Sequence, residues 1–242
     1  VSESDDIFSQ LLTDSKTQIN IRYRFENVSQ DGFDKDAEAN TVRTRLNWTS
    51  SQKNPLSFKL EFDDVRTLGS ERFNNTANGQ STYPVVADPE GTEINQAYVK
   101  YSSGQFSATA GRQRINLDDQ RFVGGVGWRQ NEQTYDGARF QYKHNGLKAD
   151  YSFIQNVNRI FGPDGDKANL DGDIHLLNVH HAINKNHSVT GFAYGLDFDD
   201  LGAFGLSSNT YGIRYQGDVS GFKIQASLAR QSEAGNNPVE YS

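Results

Sequence analysis

Apolar and polar residues take turns with a period of two along almost the whole chain, and this regularity excludes more folds than any other property of the sequence. Ile19, Ile21, Tyr23 and Phe25 interleave with Gln18, Asn20, Arg22, Arg24 and Glu26. Leu56, Phe58, Leu60 and Phe62 interleave with Ser57, Lys59, Glu61 and Asp63, and Val42, Leu46 and Trp48 stand against Thr41, Arg43, Arg45 and Asn47. Only a strand sends such neighbours to opposite faces. The pattern returns at Ala97/Val99/Tyr101, Phe106/Ala108/Ala110, Ala138/Phe140/Tyr142, Leu147/Ala149/Tyr151/Phe153, Tyr211/Ile213/Tyr215 and Phe222/Ile224/Ala226/Leu228. Runs at about 174–183 and 187–196 read as strands whose facing the pattern leaves open. The total is about eleven strands of roughly 9 to 11 residues, the length a tilted strand needs to cross a bilayer.

The connections alternate in length. Ser50–Asn54, Ser102–Gly104, His144–Gly146, Asn184–Asn186 and Gly217–Gly221 are short and rich in Gly, Asn and Ser, as tight turns require. Between them lie the longer segments 27–40, 64–93, 114–133, 156–173, 197–208 and 232–238. All long loops at one end and all tight turns at the other is the plan of an outer-membrane barrel. Trp48, Tyr101, Phe106, Tyr142, Tyr215 and Phe222 share the apolar face and sit beside short turns, while Phe25, Phe62 and Phe153 sit at the opposite strand ends. These positions suit two interfacial girdles. The expected fold is all-β: an antiparallel transmembrane β-barrel of the outer-membrane type, in the bacterial outer membrane and in contact with lipid and lipopolysaccharide.

Composition agrees. The 242 residues carry a formal charge of −7, the opposite of a nucleic-acid footprint. No uncharged run in the chain exceeds 15 residues, and the glycine-rich Phe122–Trp128 in its middle has only seven, short of the roughly 20 apolar residues of a spanning helix. Cys is absent, so no disulfide or thiol chemistry enters, and the lack of Met together with a start at Val1 points to a removed signal peptide. Single-chain bacterial barrels have even strand numbers. Eleven strands followed by Val239-Glu240-Tyr241-Ser242, which reads as the start of a twelfth, therefore suggest a single barrel domain over 1–242 cut short at its C-terminus. A twelve-stranded barrel is the alternative. Residues 1–15 are expected as a short periplasmic segment, with a turn of helix within Val1–Leu12.

If the apolar face meets lipid, the other face lines a lumen. Its bases are Arg22, Arg24, Arg43, Arg45, Lys59, Lys100, Arg139, Lys143, Lys148, Arg214 and Lys223, and its acids are Glu26, Glu61, Asp63 and Asp150. Eleven bases against four acids make this face +7, so the rest of the chain, with 13 bases and 27 acids, carries −14. A basic lumen attracts anions, and Arg pairs with carboxylates in a bidentate fork. The same charges also serve to pair across strands and hold the wall together.

The loop at 114–133 stands apart. The chain reads Gly111-Arg112-Gln113-Arg114, then Asp118-Asp119, Arg121, a Gly-rich stretch and Trp128-Arg129, before Tyr135-Asp136-Gly137-Ala138-Arg139. Glycines for a bend and arginines for a solute suit a loop folded into a pore, and equally a strand extension outside the membrane. Over Gly111–Arg139 the sequence resembles the alginate-export type of outer-membrane β-barrel, in which a Gly-Arg-Gln element precedes a Trp-containing loop and an Asp-Gly-x-Arg strand start. The resemblance implies a monomeric barrel of about eighteen strands with an Arg-rich pore for an anionic polysaccharide. It further implies that Arg112, Arg114, Arg129 and Arg139 contact acidic substrate and that Asp136 orients neighbouring Arg side chains. With Arg22, Arg24, Arg43, Arg45, Lys59, Lys100, Lys143 and Arg214 they form the expected solute path, for passive diffusion of anionic solutes such as acidic sugars.

Other chemistries fare worse. An outer-membrane phospholipase needs a Ser–His arrangement near the outer rim, whereas His187-Ser188 flanks a short turn; His180 and His181 are the other histidine candidates. His175 and His181 share a face but lie six residues apart, about 20 Å at strand rise, too far to ligate one metal. Asp164, Asp166, Asp171 and Asp173 are weak calcium candidates, since Asp-Gly pairs are also ordinary turn formers. No cofactor is called for. A non-conducting structural or adhesion barrel, with loop 64–93 as its surface, is the remaining rival.

Overall fold

The computed structural model describes residues 9, 11–52, 55–165, 167–200 and 202–239. Eleven strands lie among them: β1 Lys16–Val28, β2 Ala37–Thr49, β3 Leu56–Thr67, β4 Gly91–Ser103, β5 Phe106–Gln113, β6 Thr134–His144, β7 Leu147–Asn158, β8 Asn169–Ala182, β9 His187–Phe198, β10 Ser208–Val219 and β11 Phe222–Glu233. They follow one another in chain order in one sheet, and the ladders β1–β2, β2–β3, β8–β9, β9–β10 and β10–β11 are antiparallel. Several strands are longer than expected, up to 14 residues in β8, because they run past the apolar belt into polar sequence such as Asp63–Thr67, where alternation gives no signal. Val239 lies outside any strand, and residues 240–242 of the expected twelfth strand lie outside the described residues. Residues 11–13 are helical; of the expected N-terminal helix, residues 1–8 and 10 lie outside the described residues.

The chain forms two compact units. One holds Val1–Val99, Gly111–Tyr135 and Val157–Asn169; the other holds Lys100–Ala110, Asp136–Asn156 and Leu170–Ser242. In the first, burial is inverted relative to a water-soluble sheet. Ile19, Ile21 and Phe25 are 69%, 67% and 58% exposed, whereas Arg43, Glu61 and Asp63 are 4%, 1% and 1% exposed. Exposing that much apolar surface to water would cost roughly 25 cal/mol per Å², so lipid is the solvent that suits this face. Above the belt, Phe73 and Val86 of loop 68–90 close a small core on Ala37, Ala39 and Val28.

The second unit settles the facing of β8 and β9. Ile174, Leu176, Asn178, Thr190, Phe192 and Tyr194 are buried on one side, with Phe192 stacked on Tyr194 at 5.1 Å. Leu177, also apolar, is 42% exposed on the other side. Apolar residues on both faces explain why periodicity is mute here. His175 packs on Phe153 at 5.1 Å and hydrogen-bonds Tyr151 Oη at 2.8 Å.

Candidate functional site

The first unit gathers its charges on the sheltered side of β1–β3. The register sets Arg22 directly opposite Arg43, a like-charge pair that costs energy unless acceptors are brought to it. Loop 114–133 brings them. Arg22 donates to Gln130 Oε1 at 3.0 Å, to the Gly127 carbonyl at 3.0 Å and to the Arg129 carbonyl. Arg24 donates to the Trp128 carbonyl, with its guanidinium 3.6 Å over the Trp128 ring. Arg43 donates to the Gln130 carbonyl at 3.4 Å and to Asn20 Oδ1 at 3.2 Å. The loop therefore lies against the polar face of the wall.

Gln130 is the key of that contact and is fully buried. Its amide donates to Thr41 Oγ1 at 2.9 Å and to the Arg22 carbonyl at 3.3 Å, and its backbone N–H donates to Asp88 Oδ1 at 2.8 Å. Asn131 donates to the Pro89 carbonyl at 3.0 Å, so the bases of loops 68–90 and 114–133 are pinned together. Gln130→Ala leaves buried partners unpaired, at a cost of about 1–3 kcal/mol. The expected result is a lower urea midpoint and faster trypsin cleavage after Arg121 or Arg129.

A carboxylate-guanidinium lattice continues the contact. Arg45 forks onto Asp63 with two bonds of 2.6 Å and reaches Glu132 at 3.1 Å. Arg114 bridges Glu132 and Glu61, Arg43 lies 3.6 Å from Glu132, and Lys59 lies 3.7 Å from Glu61 and 2.7 Å from Asn47 Oδ1. Arg24 pairs with Glu26 at 2.6 Å, and Arg129 reaches the same carboxylate at 3.3 Å. Burial alone would push the Glu132 carboxyl up, but the charges and hydrogen bonds of Arg114 and Arg45 outweigh it and hold it at about 2. Burial pushes the Asp88 carboxyl upward, against the pull of the Gln130 N–H and of Arg129 and Arg24.

The expected count of four sheltered acids is therefore too low. Glu132 and Asp88 arrive on loops, and Glu93 shares the sheltered side of β4 with Asn95. Arg22, Arg24, Arg43, Arg45, Lys59, Arg114 and Arg129 face Glu26, Glu61, Asp63, Asp88 and Glu132, seven bases against five acids, and Glu93 brings the formal local excess to +1. The loop itself hollows out about 700 Å³ between Arg114, Asn116, Phe122, Trp128, Glu132 and Gln133.

The other expected site residues are dispersed. Arg112 donates to the Ile94 carbonyl at 3.0 Å. In the second unit Arg139 forks onto Asp150, which also accepts from Gln141 at 2.7 Å. Asp136 accepts from Asn156 at 3.1 Å. Arg214 is buried and donates to Ser227 Oγ at 3.2 Å; Lys100 is partly buried and Lys143 exposed. His180 pairs with Thr190 at 3.1 Å and His187 with Tyr215 at 2.6 Å. Among the described residues no three His, Asp or Glu converge as a metal site, and the calcium candidate Asp166 lies outside the described residues.

This architecture has relatives of known structure. Pseudomonas aeruginosa OccK8 (OprE) superposes with a TM-score of 0.70 at 14% identity, over 95% of this chain and 57% of that one. P. aeruginosa OpdK, crystallised with vanillate, gives 0.70 at 13% over 94% and 60%, and P. aeruginosa OpdQ gives 0.63 at 14% over 93% and 59%. The chain thus spans under two thirds of the length of these outer-membrane porins. None of the curated proteins compared with it matches. The sequence profile of one family, described as alginate export, matches residues 14–232; with the strands, the inverted burial and the in-folded loop, that match makes the chain a member of the alginate export family of bacterial outer-membrane β-barrels.

Proposed function

We propose that the protein is a passive channel for anionic solutes, acidic sugars or their polymers among them, which move along the basic side chains of the wall and of loop 114–133. The observation that carries this reading is the excess of bases where that loop lies on β1–β3: Arg22 and Arg43 face each other, and their hydrogen bonds there go to neutral carbonyl and amide oxygens, with Arg43 adding an ion pair to Glu132 at 3.6 Å. A solute carboxylate or phosphate competes well with a neutral carbonyl for a guanidinium. Vanillate, bound in the crystals of OpdK, is itself a carboxylate. Weak, repeated contacts allow passage where one tight site would trap the solute, so no covalent chemistry enters. Lipid and lipopolysaccharide meet the exposed apolar belt, and the barrel works as a monomer.

The test is the reversal potential of the full-length protein in a planar bilayer under a KCl gradient. Excess chloride flux is expected. Cation preference would overturn the reading, and absence of conductance would return the structural or adhesion barrel.

A further inference from the structure

Two prolines lock the bases of two outer loops together. Pro163 lies over Gly91, where a Cβ would come 2.8 Å from its Cδ, and Pro89 lies over Gly162, where a Cβ would come 3.0 Å from its Cγ. Gly162 also has φ +77°, a conformation other residues adopt only with strain. Behind this joint, among the start of β4, the ends of β5 and β7 and the start of β8, is a cavity of about 190 Å³ lined by Glu93, Arg112, Asn158, Arg159, Gly162 and Asn169.

Two groups in its wall lack what their chemistry asks for. Glu93 Oε1 is buried and accepts no hydrogen bond, although buried acceptors are nearly always satisfied. Arg159 stacks on Phe161 at 4.6 Å, and among the described residues no carboxylate lies within ion-pair distance of it. Burial pushes its guanidinium below the ordinary value, with no acid among the described residues to offset it. Arg112 is occupied by the Ile94 carbonyl. The cavity thus offers an acceptor in need of a donor and a cation in need of an anion. At roughly 30 Å³ per water-sized group, it holds a ligand of about six heavy atoms.

We propose that this cavity binds a small carboxylate bearing a hydroxyl or ammonium group close to its acid, with the carboxylate on Arg159 and the donor on Glu93. A simple carboxylate satisfies Arg159 alone, and a neutral alcohol satisfies Glu93 alone. The bifunctional ligand answers both. The site stands whether or not the barrel conducts.

Isothermal titration calorimetry of the detergent-solubilised full-length protein with lactate, alanine and propionate tests this without any current. Lactate, alanine or both bind about tenfold tighter than propionate, which lacks the donor. Lactate alone identifies a hydroxy acid, and alanine alone an amino acid. Glu93→Gln, close in size, removes the advantage over propionate, and Arg159→Gln abolishes binding of all three; heat-modifiable migration in detergent gels shows that both variants are folded. Equal binding of propionate, no binding of lactate or alanine, or an advantage that survives Glu93→Gln would overturn the proposal. A protein that binds lactate yet passes no chloride would refute the channel and leave the cavity standing.

Discussion

Glu132→Gln is expected to loosen loop 114–133 from the wall and, if the proposed channel is correct, to shift its ion preference toward anions. Glu132 stands 3.1 Å from Arg45 and 3.6 Å from Arg43 and also bridges Arg114. The amide keeps the shape but removes the one carboxylate shared by three guanidinium groups. Leaving buried charges short of a partner costs about 3–5 kcal/mol, seen as a lowered urea midpoint and noisier single-channel current. The local excess rises by one positive charge, so the chloride-to-potassium permeability ratio rises. An unchanged ratio would mean that this lattice does not border the conducting path. Acid reaches the same state. The Glu132 carboxyl is depressed from 4.5 to about 2 in the folded protein, so its contribution is complete above pH 4.5 and disappears as pH falls through 2. That contribution is on the order of 3 kcal/mol. Loop protection from an acid-stable protease is expected to fall across that window in the wild type and to be flat there in Glu132→Gln.

Gly111→Ala is expected to cost more than any other single methyl group added near the site. Gly111 has φ +119°, and an added Cβ would be driven into the Ala97 carbonyl and within 3.0 Å of Tyr98 Cα. The backbone conformation alone costs an alanine about 1–3 kcal/mol, and the obstruction is backbone, which cannot swing aside. The close approach follows from a slip in β4. Ile94 and Tyr101 are both 44% exposed, although an odd separation should put them on opposite faces. The neighbours Asn95 and Gln96 are both buried, and both donate to Glu61 Oε1, at 2.9 and 3.3 Å. Two sheltered residues in succession are the mark of a β-bulge, and Gly111 is the residue that lets the adjoining strand pass it. The variant should refold in detergent with a markedly lower yield and urea midpoint; wild-type values would show that β4 can relax away.

The same slip shows where sequence reasoning stops. β1, β2, β3 and β6 are legible because each has one apolar and one charged face, and Arg22, Arg24, Arg43, Arg45 and Lys59 lie on the side that alternation assigns them. Glu93 escaped because the phase of β4 changes at Asn95–Gln96, so counting back from Ala97 puts it on the wrong face. Asp88, Gln130 and Glu132 escaped because loops have no period, and only tertiary contact reveals that 114–133 seats on Arg22 and Arg43. Their one trace in the sequence is an excess of arginine on β1 and β2 that the acids of those strands cannot match. In β8, Ile174 and Leu176 against Leu177 defeat any reading by alternation.

The inverted wall also bears on how such a chain reaches its membrane. Its lipid-facing residues occupy every second position, as Ile19, Ile21, Tyr23 and Phe25 do, so the greasy surface exists only after the strands have paired. Before pairing, the mean hydropathy of −0.74 is that of a polar polymer. Among the described residues no helix is long and apolar enough to span a bilayer. Machinery that arrests apolar helices needs about 20 apolar residues in a row, and strands of alternating face such as β1 and β3 do not supply them. Strands of this kind acquire an affinity for a bilayer only by folding.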